Sequence, residues 1–343
     1  MLQKMAPQTL RILALLAVMV LITLIFTSQI DGFLNGRLFN RISSSVAIMA
    51  LIATGQTLVI LTRNIDLSVG SMVGFVAFAT GLLVTHNPEL NPLTLLTYAM
   101  LLGAGFGLIN GLLVAYARVP SIIVTLATMA LYRSTLVWFS DGKSITTENL
   151  PQWLVEFPNL VLFQLGAMEF RAGFCASVVV VIAVAVAMAK LRPARQFYAV
   201  GSNPEAADLA GIDAARVVLA AFVLSGVMAG MAGFMFLARY GTITVVAGLG
   251  FELKSVASAV VGGVNIFGGS GSVIGAFLGA ILVDLLENGL RLLPHLSEFW
   301  REAVLGALIL AAVATDTILS RRLGALRAAR AQKEALAARE AKS

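Results

Sequence analysis

The chain has 343 residues, of which 59% are hydrophobic and 12% are charged. Soluble domains carry about 25% charged residues, so this composition excludes a water-soluble or disordered chain and indicates a membrane protein built of several helices. The net charge of +6 comes mainly from an alanine-rich tail at 321–343, which we interpret as a solvated cytoplasmic helix near anionic lipid rather than a nucleic-acid site.

Uncharged runs of about 20 residues, the length that crosses a bilayer, recur along the chain. In chain order we predict membrane helices at 12–30, 42–62, 67–88, 90–117, 121–140, 172–189 and 217–238, two more within the uncharged run 255–283, and a last one at 301–319. The run 255–283 is too long for one untilted span, and glycines between Gly262 and Gly271 interrupt it. The predicted fold is an all-α integral membrane protein with about ten transmembrane helices, an internal repeat and glycine-broken segments.

An even number of crossings places both termini on one side of the membrane. Basic residues are more frequent on that side, which the positive-inside rule assigns to the cytoplasm. We therefore expect a transmembrane domain at 1–320, with a polar loop at 191–216, followed by a basic cytoplasmic tail at 321–343.

Small residues at helical spacing predict close packing between helices. They stand at Gly103, Gly107 and Gly111, at Gly226 and Gly230, and at Gly271, Gly275 and Gly279. Tight packing explains this spacing fully, and we assign these stripes no other role.

A sequence repeat stands at two of the predicted helix ends. Residues 64–74 read Asn-Ile-Asp-Leu-Ser-Val-Gly-Ser-Met-Val-Gly, and residues 265–275 read Asn-Ile-Phe-Gly-Gly-Ser-Gly-Ser-Val-Ile-Gly. Such polar breaks at membrane depth are tolerated only where protein or water surrounds them, and repeated breaks are typical of transporters. We therefore predict that the breaks shape a translocation pathway. The candidate residues are Asn64, Asp66, Ser68, Gly70, Ser71, Asn265, Gly271 and Ser272.

Two interpretations of Asp66 stay open. An ionisable group within a membrane protein is a functional candidate by default. Alternatively, Asp66 caps the next helix, with Ser68 in its first turn, and Arg63 marks the membrane interface. The two interpretations are compatible, because a cap would fix the geometry of the break.

The polar loop at 191–216 contains the signals of a short helix outside the membrane. Asn203 is a favourable N-cap, Pro204 suits the first helical position, and Glu205 suits the first turn. Gly211 can terminate the helix. An ordinary connecting loop is the alternative that these residues leave open.

Three blocks in this order resemble the permeases of ABC importers. The pattern Glu205-Ala206-Ala207-x-x-x-Gly211 resembles their coupling loop, 64–71 resembles a signature of the ribose-type branch, and 252–275 resembles that branch's third block. The resemblance covers about 42–319. Many sugar permeases have glycines where this chain has Arg63 and Asn64, and in this respect the chain is similar to the rhamnose and autoinducer-2 permeases.

The resemblance implies the permease subunit of an ATP-driven importer in a bacterial inner membrane. The implied solute is a monosaccharide or a related polyol-like molecule, such as rhamnose, autoinducer-2 or ribose. The implied partners are cytoplasmic ATP-binding subunits, a second permease subunit that is identical or related, a periplasmic sugar-binding protein and the lipid bilayer, with no nucleic acid. The residues implied in ATPase coupling are Gly201, Asn203, Pro204, Glu205, Ala206, Ala207 and Gly211.

The chain itself shows no sign of enzymatic chemistry. Its Gly142-Lys143-Ser144 sequence has Val137 where a phosphate-binding loop requires glycine, so we expect no ATP hydrolysis by that route. The single cysteine, Cys175, excludes an internal disulfide and a multi-cysteine metal site. We predict no metal and no cofactor.

Two other functions remain as alternatives. An ion-coupled secondary transporter usually has several buried acids, for which Asp66, Asp284 and Glu287 are the candidates. A remote alternative is an intramembrane serine protease that uses the Gly268-Gly269-Ser270-Gly271 turn. Its serine would require a histidine base within hydrogen-bond reach. His86 stands beside Asn87 and Pro88 at the turn that ends the span 67–88, and His295 stands beside Pro294 in a loop, so we expect neither inside a helix.

Overall fold

A computed structural model of the protein describes residues 7–293 and, beyond them, residues 300, 303–304, 306–307 and 310–311. In chain order its elements are α1 (Pro7–Gln29), α2 (Gly36–Leu61), α3 (Val69–His86), α4 (Pro92–Ala115), α5 (Ser121–Ser140), α6 (Gln152–Glu156), β1 (Val161–Leu165), β2 (Met168–Arg171), α7 (Ala172–Lys190), α8 (Arg192–Ser202), α9 (Pro204–Leu209), α10 (Ala214–Tyr240), α11 (Phe251–Val261) and α12 (Val273–Leu292). Contacts divide the chain into two units, Met1–Leu296 and Ser297–Ser343, and all of these elements belong to the first. The predicted tail at 321–343 lies outside the described residues.

The predicted class, an all-α membrane protein, is confirmed. Within the described residues, eight helices are long and apolar enough to span a membrane, namely α1 to α5, α7, α10 and α12. The strands are confined there to one antiparallel hairpin, β1–β2, in the connection between α5 and α7. The predicted last span at 301–319 is described at only six of its residues, all helical.

The helix count differs from the prediction in the run 255–283. Two helices do form there, as predicted, but α11 has only 11 residues, about half of the length that crosses a bilayer. Gly248 and Gly250 precede it with φ values of +74° and +85°, a conformation that breaks a right-handed helix. The chain therefore leaves α10 through the irregular stretch 241–250 and forms a half-length helix before the second break.

Helix α2 lies at the centre of the bundle. It contacts α7, α10, α11 and α12, and nearly every side chain from Val46 to Leu61 is buried, including the polar Gln56 and Thr57. Helix α1, in contrast, exposes most of its apolar side chains and is suited to face lipid. Because protein surrounds α2, the helix ends at Leu61 inside a packed environment rather than in lipid.

Helices α4 and α10 pack backbone to backbone through the predicted glycine stripes. A Cβ atom added at Gly103 would overlap the carbonyl oxygen of Gly226, and one added at Gly226 would overlap the carbonyl oxygen of Gly103. Gly230 stands in the same way against the carbonyl oxygen of Ala99. This is the close approach that small residues permit between membrane helices.

We expect Gly103→Val to destabilise the fold by about 1–3 kcal/mol, the usual cost of overpacking a rigid contact. Gly105→Val is the matched control, because Gly105 lies on the same helix and nothing lies within 4 Å of its added Cβ. Thermal unfolding of both variants in detergent measures the difference. Equal unfolding temperatures would contradict the proposed packing.

Candidate functional site

Helix α9 forms as the local sequence predicts. The side-chain oxygen of Asn203 accepts a hydrogen bond from the backbone nitrogen of Ala206 at 3.0 Å, and Pro204 occupies the first turn. At the other end, Gly211 adopts a φ of +78°, and the nitrogen of Ile212 donates to the carbonyl of Ala207 at 3.0 Å. The predicted short helix in the loop 191–216 is present, with six residues.

One face of α9 is presented to solvent. Ala207 packs against the bundle, whereas Glu205 and Ala206 are exposed and the side chain of Leu209 is 91% exposed. Helix α9 is not among the helices long and apolar enough to span a membrane. Leu209 lies within the stretch 205–211 that resembles a coupling loop, and this coincidence makes the exposed face of α9 a candidate protein-binding surface.

Arg63 ties the base of α9 to the end of α2. Its Nε atom donates to the carbonyl of Gly201 at 2.6 Å, and its Nη2 atom donates to the carbonyl of Ser202 at 2.6 Å. These two carbonyls are the last in α8, immediately before the cap of α9. Hydrogen bonds from a charged guanidinium are stronger than those between neutral groups, so Arg63 holds the end of α8 beside the end of α2.

The second glycine break, between α11 and α12, also contacts the end of α2 and helix α8. The nitrogen of Gly269 donates to the carbonyl of Leu61 at 3.0 Å, and the hydroxyl of Tyr198 in α8 donates to the carbonyl of Gly271 at 3.3 Å. A Cβ atom at Gly201 would overlap the carbonyl oxygen of Leu61. We define the junction as Leu61, Arg63, Gly201, Ser202 and Gly269, where the end of α2, the base of α9 and the second break come together.

The junction contains unusual backbone conformations. Arg63 has a φ of +67°, and Gly268 and Gly269 have φ values of +81° and +72°. A positive φ is uncommon for a residue other than glycine, and such residues cluster at functional sites where surrounding contacts hold them. Here the two hydrogen bonds of the Arg63 side chain supply such contacts.

The first break, at 62–68, is held by a buried polar network. The Oδ1 atom of Asp66 accepts hydrogen bonds from the nitrogen and the hydroxyl of Ser68 at 2.9 and 2.7 Å. Asn110 donates to the Ser68 hydroxyl at 2.8 Å, and Tyr132 donates to the Asn110 oxygen at 3.3 Å. Both Asp66 and Ser68 are completely buried. Ser68 occupies the N-cap position of α3, and Asp66, two residues before it, thus fixes the start of the helix.

Gln56 satisfies the backbone of the same break. With its amide nitrogen toward Asp66, the side chain of Gln56 donates a hydrogen bond to the Asp66 carbonyl at 3.1 Å. Its amide oxygen accepts one from the Asp66 nitrogen at 3.2 Å. Irregular backbone within a membrane protein requires such partners. Gln56, Asn110 and Tyr132 were not among the predicted site residues, although a glutamine within a long apolar run was a usable signal.

The second break is longer and is held differently. The side chain of Asn265 accepts from the nitrogen of Phe267 at 3.0 Å, and its backbone nitrogen donates to the carbonyl of Ser270 at 2.9 Å. Ser272 caps α12 by accepting from the nitrogen of Gly275 at 3.3 Å. Its counterpart in the repeat, Ser71, is instead buried inside α3. The two copies therefore share sequence and position before a helix, but they differ in local structure.

The remaining candidate residues of the predicted pathway divide between two environments. Asn64 and Asn265 are half-buried, and Asn64 lines an open groove of about 610 Å³ beside the start of α9. Gly70 and Ser71 are packed among helices, where a Cβ atom at Gly70 would overlap the carboxylate of Glu252. Gly271 is buried with a φ of +154° against Val264.

Comparison with known proteins identifies the family. Residues 38–313 match the family described as branched-chain amino acid transport system / permease component. The chain belongs to this permease family. The resemblance to ABC importer permeases is thereby confirmed, and the protein is a multi-pass transport permease.

Curated relatives of this permease cover most of the chain. It is 36% identical over 304 residues to the autoinducer 2 import system permease protein LsrC of Yersinia enterocolitica, which covers 88% of this chain and 81% of the relative. It is also 36% identical over 310 residues to the LsrC protein of Escherichia coli O9:H4, with 89% and 86% covered. No solved structure matches the permease.

These comparisons favour the permease interpretation over both alternatives. The relatives are transport permeases and not enzymes. His86 is the last residue of α3, so the expectation that it lies outside a helix is wrong. Within the described residues its ring pairs with the carbonyl of Leu82 and forms no hydrogen bond with Ser270, while His295 lies outside them. The Gly268–Gly271 turn contacts α2 and α8 as part of the junction and its surroundings.

Proposed function

We propose that this permease is the membrane subunit of an ATP-driven importer for autoinducer-2 or a chemically similar polyhydroxylated solute. The curated relatives that carry this solute in their names support the proposal. The observation that carries the mechanism is the junction, because it connects a helix outside the membrane with both glycine breaks.

In the proposed mechanism, α9 binds a cytoplasmic ATP-binding subunit. Leu209 is the main contact, and the candidates Glu205, Ala206 and Gly211 share its exposed side. Asn203 and Pro204 keep the helix in place, and Ala207 anchors it to the bundle. The helix is short and capped at both ends, so it moves as a unit with the subunit that holds it.

Movement of α9 reaches the membrane helices through the junction. Arg63 pulls on the first break, which leads into α3, because it holds the Gly201 and Ser202 carbonyls. The Leu61–Gly269 hydrogen bond connects α2 with the second break, which leads into α12. A single displacement therefore reorients two helices in concert, as alternating access requires.

The two breaks act as hinges beside the translocation pathway. Asp66, Ser68 and Ser272 hold the ends of the following helices, and Gly70 and Gly271 permit the close backbone approach. The half-buried polar groups of Asn64 and Asn265 are the candidates for contact with water or solute along the pathway. Ser71 supports the first break from within α3.

The proposed assembly contains two permeases, identical or related, two ATP-binding subunits and a periplasmic solute-binding protein. Both termini lie in the cytoplasm, because the loops at the α9 end contain more basic residues than those at the other end. The basic tail at 321–343 lies on the same side in this arrangement.

Deletion of this chain in its native bacterium should abolish autoinducer-2 accumulation, and expression of the intact chain should restore it. Uptake of ribose and of rhamnose is measured in parallel. Unchanged autoinducer-2 accumulation with loss of another sugar would contradict the proposed solute. Accumulation that persists when ATP is depleted but the proton gradient is kept would contradict the proposed energy source.

A further inference from the structure

An open cavity lies at the end of the bundle opposite to α9. The start of α2, the end of α10 and the connection between α5 and α7 enclose about 520 Å³. Since Arg41 precedes Leu61 of the junction by 20 residues on α2, the two sites are about 30 Å apart along the helix. The cavity is therefore separate from the coupling machinery.

Arginines dominate the lining of this cavity. Arg37, Arg41, Arg171 and Arg239 all line it, together with neutral polar side chains such as Asn40. Arg171 is neutralised by Glu169 at 2.8 Å. The other three arginines form no salt bridge with any acid in the part of the chain that the structure describes.

The three guanidinium groups concentrate positive charge at this cavity. Arg37 and Arg41 stand four residues apart on α2, where like charges repel. The Nη1 atom of Arg239 is buried and has no hydrogen-bond acceptor among the described residues. A buried donor without an acceptor is costly, so an anion that draws the guanidinium group of Arg239 toward the cavity would relieve this cost.

Neighbouring acids leave the surplus of positive charge in place. A second cavity of about 270 Å³ shares Arg41 and Arg239. Its Glu287 is occupied by Lys254 at 2.8 Å and Arg291 at 2.6 Å. Asp284 attracts Arg239 but lies too far away for a salt bridge. One acid therefore faces three arginines.

We infer that this cavity binds a phosphate-type oxyanion between the partly buried Arg239 and the exposed Arg37 and Arg41. The planar guanidinium group presents two parallel donors that match phosphate oxygens. Asp284 offsets one of the three positive charges, and the remaining surplus favours an anion, whether a phosphate monoester or a singly charged phosphodiester headgroup. The phosphate belongs either to a free small molecule or to a lipid headgroup, since the cavity is open.

Thermal unfolding of the purified permease in neutral detergent tests this inference. Inorganic phosphate replaces chloride at constant ionic strength, and we expect a saturable rise of the unfolding temperature. Arg41→Gln and Arg239→Gln should each weaken the apparent phosphate affinity about tenfold or more, the effect of losing a charge-assisted hydrogen bond. Arg118→Gln is the control, since Arg118 is exposed near the α9 end.

A parallel series in nanodiscs compares neutral lipid with phosphatidylglycerol and distinguishes the two sources of phosphate. Stabilisation by phosphatidylglycerol that depends on Arg41 and Arg239 assigns the cavity to a headgroup, and stabilisation by phosphate assigns it to a free molecule. Arg41→Lys, which keeps the charge but loses the planar donors, should bind with intermediate affinity if Arg41→Gln fails to fold. No stabilisation in either series, or equal stabilisation of all variants, would overturn the inference.

Discussion

Replacement of Arg63 by alanine should reduce ATP-driven uptake at least about tenfold while the permease remains folded in the membrane. The substitution removes both 2.6 Å hydrogen bonds to the carbonyls of Gly201 and Ser202, and bonds of this charged type contribute about 1.5–3 kcal/mol each. Movement of α9 then no longer reaches the first break. Because the guanidinium is largely exposed, we expect the loss in uptake to exceed the loss in stability.

Arg118→Ala is the matched control for this prediction. Arg118 also has a positive φ, of 56°, and lies near the α9 end without hydrogen bonds to α8 in the described part of the chain. Uptake and detergent unfolding are measured for both variants, together with ATP hydrolysis by the purified complex. Arg63→Ala should hydrolyse ATP without transport. Normal uptake by Arg63→Ala would contradict the proposed route of coupling.

Replacement of Leu209 by aspartate should prevent stable association with the ATP-binding subunit. An apolar side chain that is 91% exposed in the isolated permease has the position of an interface anchor, and loss of such an anchor costs about 2 kcal/mol or more, equal to about 30-fold in affinity. Co-purification from mild detergent measures the retained subunit. The fold should be unaffected, since Leu209 contributes almost nothing to the core of the permease.

Leu162→Asp is the control for Leu209→Asp. Leu162 is 57% exposed on β1, which belongs to the connection at the opposite end of the bundle. This variant should retain the ATP-binding subunit in full. Loss of the subunit from both variants, or from Leu162→Asp alone, would show that α9 is not the docking helix.

Local sequence rules were sufficient to predict α9. Asn203, Pro204 and Gly211 act on residues within one turn, so their effect does not depend on the rest of the fold. The positions of the two breaks were predictable for the same reason, since polar residues and glycine interrupt the apolar runs. The family resemblance then supplied the functional class, which the comparisons confirmed.

The junction could not be predicted from the sequence. Arg63 and Gly201 are 138 positions apart, and no periodic pattern connects them. The sequence indicated only a charge at a membrane interface. The structure shows that this charge is used to hold α8, because α2 and α8 end beside each other.

The length of α11 also could not be predicted from residue types alone. Hydropathy favoured a membrane span in the first half of 255–283, but α11 begins directly after the left-handed Gly248 and Gly250 and ends at Val261, where Gly262 and the left-handed Gly263 follow. Glycine permits such a conformation without requiring it. At Gly248 the backbone also approaches Gly70 so closely that an added Cβ atom would overlap the Gly70 carbonyl oxygen.

Site-specific cross-linking from α9 tests the central claim most directly. The only cysteine in the chain is Cys175, so Cys175→Ser gives a background into which Leu209→Cys and Leu162→Cys are introduced separately. Native membranes that contain all subunits are treated with a short thiol-reactive cross-linker, and the products are identified by mass spectrometry. The account predicts an ATP-binding subunit cross-linked to the Leu209→Cys variant and not to the Leu162→Cys variant. A cross-link to that subunit from Leu162→Cys alone, or a solute-binding protein cross-linked to Leu209→Cys, would contradict it.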